Sequence, residues 1–189
     1  MDKKNTQTIP RRHFLSTLPC LVLSKTFTSY QGYSLIQEKR TRKFGQPFTS
    51  EETELIEKSV LAKDIENYAG KGYSCAESMF IVSLRFLGKP EECVHAAAAY
   101  GGGLGKGDLC GLLTGGMMGI GIAGGKMHEN RLQMKKTVRD LSNEFWAWWE
   151  SWAPIHCRDL RKEYEGREEY IRMCKRVSVK MEELIKPAI

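Results

Sequence analysis

Cysteine is the residue type in this sequence that is best suited to chemistry. Six cysteines occur in 189 residues, a higher density than an ordinary cytosolic protein needs. The sequence contains no Cys-x-x-Cys, no Cys-x-x-Cys-His and no His-Glu-x-x-His. These absences argue against a thioredoxin-type motif, covalent c-type haem attachment and a zincin-type zinc site.

Two of the cysteines are predicted to lie at helix starts. Ser74-Cys75-Ala76-Glu77 has the pattern of a capping box, which makes Cys75 the first helical residue. Asp108 is a candidate N-cap that would place Cys110 in the first turn of another helix. Free N–H groups and the helix dipole favour a thiolate at such positions, and a thiolate is both the nucleophile and the metal ligand. A small apolar residue packed at a helix start is the alternative for Cys75.

The remaining cysteines are less distinctive. Cys157 follows Pro154 and is predicted at another helix entry, whereas Cys174 lies well inside a helical pattern. Cys93 belongs to an alanine-rich stretch and is expected to be buried there. The glycine-rich loop 101–107 lacks both the P-loop and the dinucleotide-binding patterns, so a shared sulfur site is favoured over a phosphate site.

Helices are predicted to position these side chains. Thr49-x-x-Glu52 is a capping box that opens a helix extending to about residue 65. Nothing alternates with period two for long enough to indicate a strand, so the predicted class is all-α. Further helices are predicted over 75–87, 91–100, 109–123 and 129–152. Two more are predicted around Gly166, one before it and one after it.

Glycines mark one face of the predicted helix 109–123. Gly107, Gly111, Gly115 and Gly119 recur every fourth residue, and a stripe without side chains allows a close approach of protein or of a bound group. This helix has no charge, and a short membrane segment is the alternative. We favour a central helix of a soluble, compact helical bundle.

Length and charge restrict the function classes. The chain is 41% hydrophobic and 28% charged, which suits one packed domain. Its formal net charge is +6, and residues 1–30 account for most of that charge. The rest is only weakly basic, so a nucleic-acid-binding face is not expected.

The N-terminus has the pattern of an export signal. Arg11-Arg12 precedes a mildly apolar run from Phe14 to Leu23, which resembles a twin-arginine-type signal over residues 1–30. A mobile tail with a chance arginine pair is the alternative. Residues 31–48 are interpreted as a linker and 49–189 as the all-α domain, and the predicted location is periplasmic or otherwise exported.

Taken together, these residues resemble a known family. The elements GYSCA, GGGLGKGDLCGLLTGGMMGIG, Cys157-Arg158-x-Leu160 and Cys174 occur in the order of the redox-active family named C_GCAxxG_C_C. The resemblance covers about residues 55–187, and Leu112 stands where the family usually has alanine. It implies an all-helical domain, similar to the non-haem part of split-Soret cytochromes. It also implies a redox or metal centre formed by Cys75, Cys110, Cys157 and Cys174.

Three functions remain open at this point. The first is electron transfer through an iron–sulfur cluster, with [2Fe–2S] as a candidate type, ligated by those four cysteines. The second is a thiol–disulfide protein without a metal. The third is a helical binding domain with structural disulfides or zinc. Enzymatic activity is left undecided, and no catalytic residue is assigned.

The expected partners follow from these functions. A redox partner protein of unknown identity is expected, as are membrane association through the N-terminal segment and a homodimer. Trp146, Trp148, Trp149 and Trp152 crowd one helix end, and their spacing is typical of a core or interface stripe.

Overall fold

The computed structural model describes residues 44–189, and this part of the chain is predominantly helical with no β-strand. The predicted all-α class is confirmed. The predicted export signal and residues 31–43 of the predicted linker lie outside the described residues. The α-helices are α1 (Ser50–Lys58), α2 (Val60–Asp64), α3 (Cys75–Phe86), α4 (Gly111–Met127), α5 (Arg131–Trp152), α6 (Cys157–Leu160) and α7 (Gly166–Ile185).

Shorter helical turns connect these helices. They are 3-10 turns over Ile65–Asn67, Glu91–Tyr100 and Lys186–Ala188, and a π turn over Gly103–Gly107. The alanine-rich stretch was expected to be an ordinary helix, but the structure forms 3-10 turns between Pro90 and Gly101. In the glycine loop, Gly102, Gly103, Leu104 and Gly105 all have left-handed backbone angles, so an α-helix cannot continue through it.

The first predicted helix is divided in two at Ser59. The capping box of Thr49 and Glu52 opens α1 as predicted. Ser59 then has an extended backbone, and its hydroxyl accepts a hydrogen bond from the N–H of Ala62. A carboxylate oxygen of Glu182 in α7 accepts hydrogen bonds from the Ser59 hydroxyl and from the N–H of Leu61. The break therefore depends on a partner more than a hundred residues away.

Helix α4 occupies the centre of the bundle. It contacts α3, α5, α7 and the 3-10 turns at Glu91–Tyr100. Its glycines allow α3 to approach, because a β-carbon at Gly115 would lie 2.4 Å from the carbonyl oxygen of Ala76, and one at Gly119 would lie 2.7 Å from Oγ of Ser83. The predicted close packing of Gly111, Gly115 and Gly119 is therefore against protein, whereas Gly107 lies in the π turn before α4 and does not belong to the helix face.

The aromatic end of α5 forms another part of the core, where α4 packs against α5. Phe145 and Trp149 are fully buried, and the rings of Trp148 and Trp152 pack beside them. Phe44 inserts its ring among these tryptophans, 5.6 Å from Trp149. The spacing of these residues predicted a core or interface stripe, and the burial of Phe145 and Trp149 agrees with the first of these.

Arg176 of α7 holds residues 44–48 against this aromatic cluster. Its guanidinium donates to the carbonyl oxygens of Phe44 and Pro47 and to the carboxylate of Glu52. It also lies 4.7 Å from the ring centre of Phe48. Residues 44–48, which the sequence places in the linker, therefore pack against the domain.

Within residues 44–189, no helix is both long enough and apolar enough to cross a membrane. This includes α4, the helix for which a membrane segment was the alternative.

Candidate cysteine site

A cavity of about 270 Å³ lies where α3, α4, α6 and α7 meet, and three of the predicted site cysteines line it. The fourth, Cys174, is fully buried on α7, next to Met173, which does line the cavity. The structure thus brings three of the four predicted cysteines to one cavity, and the fourth lies on a helix that forms part of its wall. The residues lining the cavity are Ser74, Cys75, Gly102, Cys110, Leu112, Cys157, Leu160, Arg161, Tyr164, Tyr170 and Met173.

Cys75 is the first residue of α3, as predicted. The Ser74 hydroxyl accepts from the N–H of Glu77, and the Glu77 carboxylate accepts from the N–H of Ser74. This box fixes the start of the helix and therefore the position of Cys75. Gly111 makes room for the sulfur, because a β-carbon there would lie 2.3 Å from Sγ of Cys75.

A short antiparallel bridge joins the chain segments that carry Cys110 and Cys157. The N–H of Cys110 donates to the carbonyl of Ile155 over 2.9 Å, and the N–H of Cys157 donates to the carbonyl of Asp108 over 2.6 Å. The side chains of Asp108 and His156 meet across it, with Nδ1 2.9 Å from Oδ1. The bridge holds two cysteines that are 47 positions apart in the sequence at one end of the cavity.

The glycine loop is folded tightly around this bridge. At Gly103, where φ is +65°, a β-carbon would lie 2.5 Å from the backbone N of Asp108 and 2.8 Å from Cβ of Cys157. Only glycine fits this position, because both the backbone conformation and the space exclude a side chain. The loop therefore has a structural part in placing Cys157.

The structure corrects the prediction for the start of α4. Asp108 is not its N-cap; Cys110 is, and the helix begins at Gly111. The reason is the bridge, which extends the backbone through Leu109 and delays the helix by two residues.

The thiol of Cys110 also behaves differently from the prediction. Burial raises its pKa well above the usual value, and the charges of Cys75 and Cys157 raise it further. The backbone N–H groups of Leu112 and Leu113 oppose this shift but do not overcome it. The expected helix-start effect is therefore present, and loss of hydration outweighs it.

Cys157 and Cys174 are likewise held as neutral thiols. Burial raises the pKa of Cys157, and the neighbouring Arg161 partly offsets that rise. Burial also raises the pKa of Cys174, and the hydroxyl of Tyr170 partly offsets it by hydrogen bonding to the thiolate. Burial raises the pKa of Tyr164 to about 12. Loss of hydration is therefore the largest cause of the raised pKa at Cys110, Cys157, Cys174 and Tyr164.

The five cysteines within residues 44–189 are all free thiols. Cys93 is exposed, rather than buried in a helix as expected, and takes no part in the site. In this part of the chain, no group of three or more His, Cys, Asp or Glu side chains is arranged to hold a metal ion. Ligation by the four cysteines therefore stays a prediction.

Sequence reasoning missed three polar side chains of the site. Arg161 lies one turn after Cys157, and Tyr170 lies one turn before Cys174, so each shares a helix face with a cysteine. Tyr164 joins them in the cavity wall and its ring packs 5.7 Å from that of Tyr170. The four-residue spacing from a cysteine was a signal that could have identified the first two.

One comparison with known proteins gives a match. The family model described as "Putative redox-active protein (C_GCAxxG_C_C)" matches residues 73–186, more than half of the chain and all four site cysteines. No curated protein and no solved structure matches the chain.

Proposed function

Because the chain belongs to the C_GCAxxG_C_C family, we propose that it is an electron-transfer protein in which Cys75, Cys110, Cys157 and Cys174 hold an iron–sulfur centre. The observation that carries the proposal is the cavity, which three of these thiols line, while the fourth is buried on the helix that adds Tyr170 and Met173 to its wall. No other cluster of cysteines exists among residues 44–189.

The chemistry of the side chains fits such a centre. Iron–sulfur clusters are held by cysteine thiolates, most often four of them. The cavity volume of about 270 Å³ is several times the ~30 Å³ of one water molecule, so a group of several atoms can be accommodated. When bound, the cluster would supply one-electron chemistry.

The residues around the cysteines have defined parts in this proposal. Arg161 supplies positive charge beside Cys157, and the hydroxyl of Tyr170 donates to Cys174. The N–H groups of Leu112 and Leu113 stabilise negative charge on Cys110. Each of these groups favours a charged sulfur, and hydrogen bonds to ligating sulfurs tune the reduction potential of a centre.

A thiol–disulfide protein is the second candidate, and one observation favours it. Cys75 is partly exposed while the other three site cysteines are buried, so an external thiol or disulfide can reach one member of the group. In that case two thiols would lose two electrons and two protons to form one disulfide, with an oxidised partner as the acceptor.

Export is part of the proposal as well. The arginine pair at Arg11-Arg12 and the apolar run after it support a twin-arginine-type signal. That route suits a protein that acquires its centre before export.

The test is the visible absorption spectrum of the full chain purified without oxygen, together with its iron and acid-labile sulfide content. We expect broad bands between about 400 and 600 nm and iron and sulfide in similar amounts. The variant Cys110→Ser should lose most of both. Cys93→Ser is the matched control, because Cys93 is exposed and outside the cavity, and it should retain them.

Colourless protein with native helical circular dichroism and no iron or sulfide would overturn the iron–sulfur centre. The same sample then tests the second candidate by mass spectrometry. A reversible loss of two hydrogens on oxidation, absent from Cys110→Ser or Cys75→Ser, would establish a disulfide. Zinc bound in place of iron would support the structural alternative.

A further inference from the structure

Helices α4 and α5 form a hairpin whose turn lies at the end of the bundle opposite the cysteine cavity. Helix α4 begins at Gly111, beside the sulfur of Cys75, and contains 17 residues, which span about 25 Å. The start of α5 then packs against the end of α4, because a β-carbon at Gly124 would lie 2.4 Å from Cγ2 of Val138. We name residues 126–140, which form this end of the hairpin, the hairpin tip.

The hairpin tip is positively charged, although the rest of the domain is not. It contains five lysine and arginine residues against Glu129 and Asp140, a net charge of +3 without His128. The other residues between 44 and 189 contain 15 lysines and arginines and 19 aspartates and glutamates, a net charge of −4. Positive charge is therefore concentrated at one end of an otherwise acidic domain.

Carboxylates of the surrounding elements do not neutralise this charge. Among residues 44–189, Arg139 is the one cation of the tip with a carboxylate within 4 Å, and that carboxylate is Asp140 at 3.6 Å. Lys126 donates instead to the carbonyl oxygen of Leu87 at the end of α3. The segment 85–92, which this bond brings close, contains two cations and two carboxylates, so it adds no net charge.

An exposed leucine lies among these cations. Leu132 is 78% exposed, the highest value among the exposed large apolar side chains of residues 44–189. Lys135, Lys136 and Arg139 follow it three, four and seven positions later, so they share its face of α5, and all of them are exposed. One face of the helix therefore presents an apolar side chain with three cations beside it.

We propose that the hairpin tip binds a membrane surface that contains anionic lipids. Its lysines and arginines would lie against the lipid phosphates, and Leu132 would enter the apolar boundary beneath them. This inference goes beyond the proposed function and does not depend on an iron–sulfur centre.

The leucine favours a membrane over the other anionic partners that such a surface could meet. Nucleic acid would pair with the cations but leave Leu132 in water. A protein interface has an apolar centre of several side chains, whereas the tip exposes one large apolar side chain among cations. A lipid surface offers phosphates and an apolar layer together, so it satisfies both kinds of side chain.

The charge asymmetry also orients the domain on such a surface. The part of the domain outside the tip, with its net charge of −4, is repelled by anionic lipids, while the tip is attracted. The cysteine cavity lies at the other end of α4. It would therefore face away from the membrane and stay open to a soluble redox partner.

The test measures binding of the full chain to lipid vesicles by co-sedimentation. Vesicles of phosphatidylcholine alone are compared with vesicles that contain phosphatidylcholine and phosphatidylglycerol in equal amounts. We expect binding to the anionic vesicles to be stronger by about tenfold or more, and to weaken steeply between about 10 and 200 mM ionic strength. Residues 1–43 are the same in every variant, so differences between variants report on the domain.

Variants of the tip locate the contact. The pair Lys135→Glu with Lys136→Glu should weaken binding to the anionic vesicles about tenfold or more, and Leu132→Ala should weaken it several-fold. These side chains are exposed, so each variant should keep the helical circular dichroism of the wild type. The milder pair Lys135→Gln with Lys136→Gln replaces the charge reversal if that protein does not fold.

Matched controls lie away from the tip. The pair Lys71→Glu with Arg167→Glu changes the net charge by the same amount, and both residues are exposed. They lie three positions before Ser74 and Tyr170 of the cavity wall, at the opposite end of the bundle. Leu55→Ala, at a residue of α1 that is 54% exposed, is the control for the leucine. Neither control should change the binding.

The outcomes decide between the partners. Weaker vesicle binding by the tip variants, with wild-type binding by the controls, supports the proposal. The proposal is wrong if the wild-type chain shows no preference for the anionic vesicles, or if the tip variants bind as their controls do. Binding to heparin that the lysine variants lose and Leu132→Ala retains, without binding to vesicles, would assign the tip to a soluble polyanion instead. None of these results depends on iron or sulfide content, so the proposed function is tested separately.

Discussion

At the scale of the residue, burial decides the chemistry of the site cysteines. Cys110, Cys157 and Cys174 all have raised pKa values with loss of hydration as the largest cause. Thiols in such a site stay protonated until a metal centre or an oxidant removes the proton. Binding of a centre therefore releases protons and is favoured by a higher pH.

The same burial predicts a pH dependence for the metal-free protein. Thiols of the unfolded chain ionise near the ordinary pKa of 9.0, whereas the buried thiols keep their protons to a higher pH. Above about pH 9 the unfolded state therefore binds fewer protons and is favoured, by up to ~1.4 kcal/mol per pH unit for each such thiol. We expect the free energy of unfolding, measured in urea with reductant and chelator, to fall from pH 8 to pH 10.

Two variants show whether the site thiols cause that fall. Cys174→Ala removes a buried thiol, so its unfolding free energy should decline less steeply with pH than that of the wild type. Cys93→Ala removes an exposed thiol and should follow the wild-type curve. Equal slopes in all three proteins would contradict the assignment.

At the scale of the element, the glycines of α4 set the distance between helices and therefore the position of a cysteine. Gly111 faces the sulfur of Cys75, and Gly115 faces the backbone of Ala76 one residue further along α3. By contrast, a β-carbon at Gly121 would have no atom within 4 Å. One helix thus contains glycines that packing requires and a glycine that it does not.

This contrast gives a matched pair of substitutions. Gly115→Ala places a methyl group 2.4 Å from a backbone oxygen, which cannot move without shifting α3, so a loss of about 1–3 kcal/mol is expected. Gly121→Ala should instead stabilise the protein by up to ~1 kcal/mol, because alanine favours a helix over glycine. Thermal unfolding followed by circular dichroism measures both, and a stable Gly115→Ala variant would contradict the packing argument.

At the scale of the whole molecule, the two ends of the described chain are tied together. Arg176 is buried and binds the N-terminal segment through the carbonyl of Phe44 and the carboxylate of Glu52. Glu182, on the same helix α7, caps α2. Helix α7 also carries Cys174, so the same helix contributes a site cysteine and binds residues 44–52.

The neighbouring cations Arg176 and Lys175 provide a test of that tie. Arg176→Ala should lower the free energy of unfolding by about 3–5 kcal/mol, because it removes one partner of a buried charged network. Lys175→Ala breaks a pair with Glu66, whose side chain is 49% exposed, and should cost at most ~1 kcal/mol. Urea denaturation at neutral pH compares them, and similar losses in the two variants would argue against a special part for Arg176.

Local signals in the sequence predicted much of this arrangement. The capping boxes at Thr49 and Ser74 and the spacing of the core aromatic residues of α5 each depend on residues within a few positions of one another. Such features are specified by neighbouring residues, so the sequence alone can predict them.

Features that depend on residues far apart in the sequence could not be predicted from local patterns. The break at Ser59 needs Glu182, and the late start of α4 needs the bridge to Ile155 and Cys157. The raised pKa of Cys110 follows from burial by the whole bundle, which no short motif specifies. The assignment of the four site cysteines stays a prediction, and the environment of their sulfurs arises only when the helices pack.

The bridge between the segments of Cys110 and Cys157 has a consequence for biosynthesis. The ribosome makes Cys157 47 residues after Cys110, and Cys174 follows 17 residues later. The cavity wall and Cys174 are in place only after α7 has been made and has packed. A bound centre would therefore mark a chain in which α7 has been made and has packed, and a fragment that ends before α7 could not acquire it in the same form.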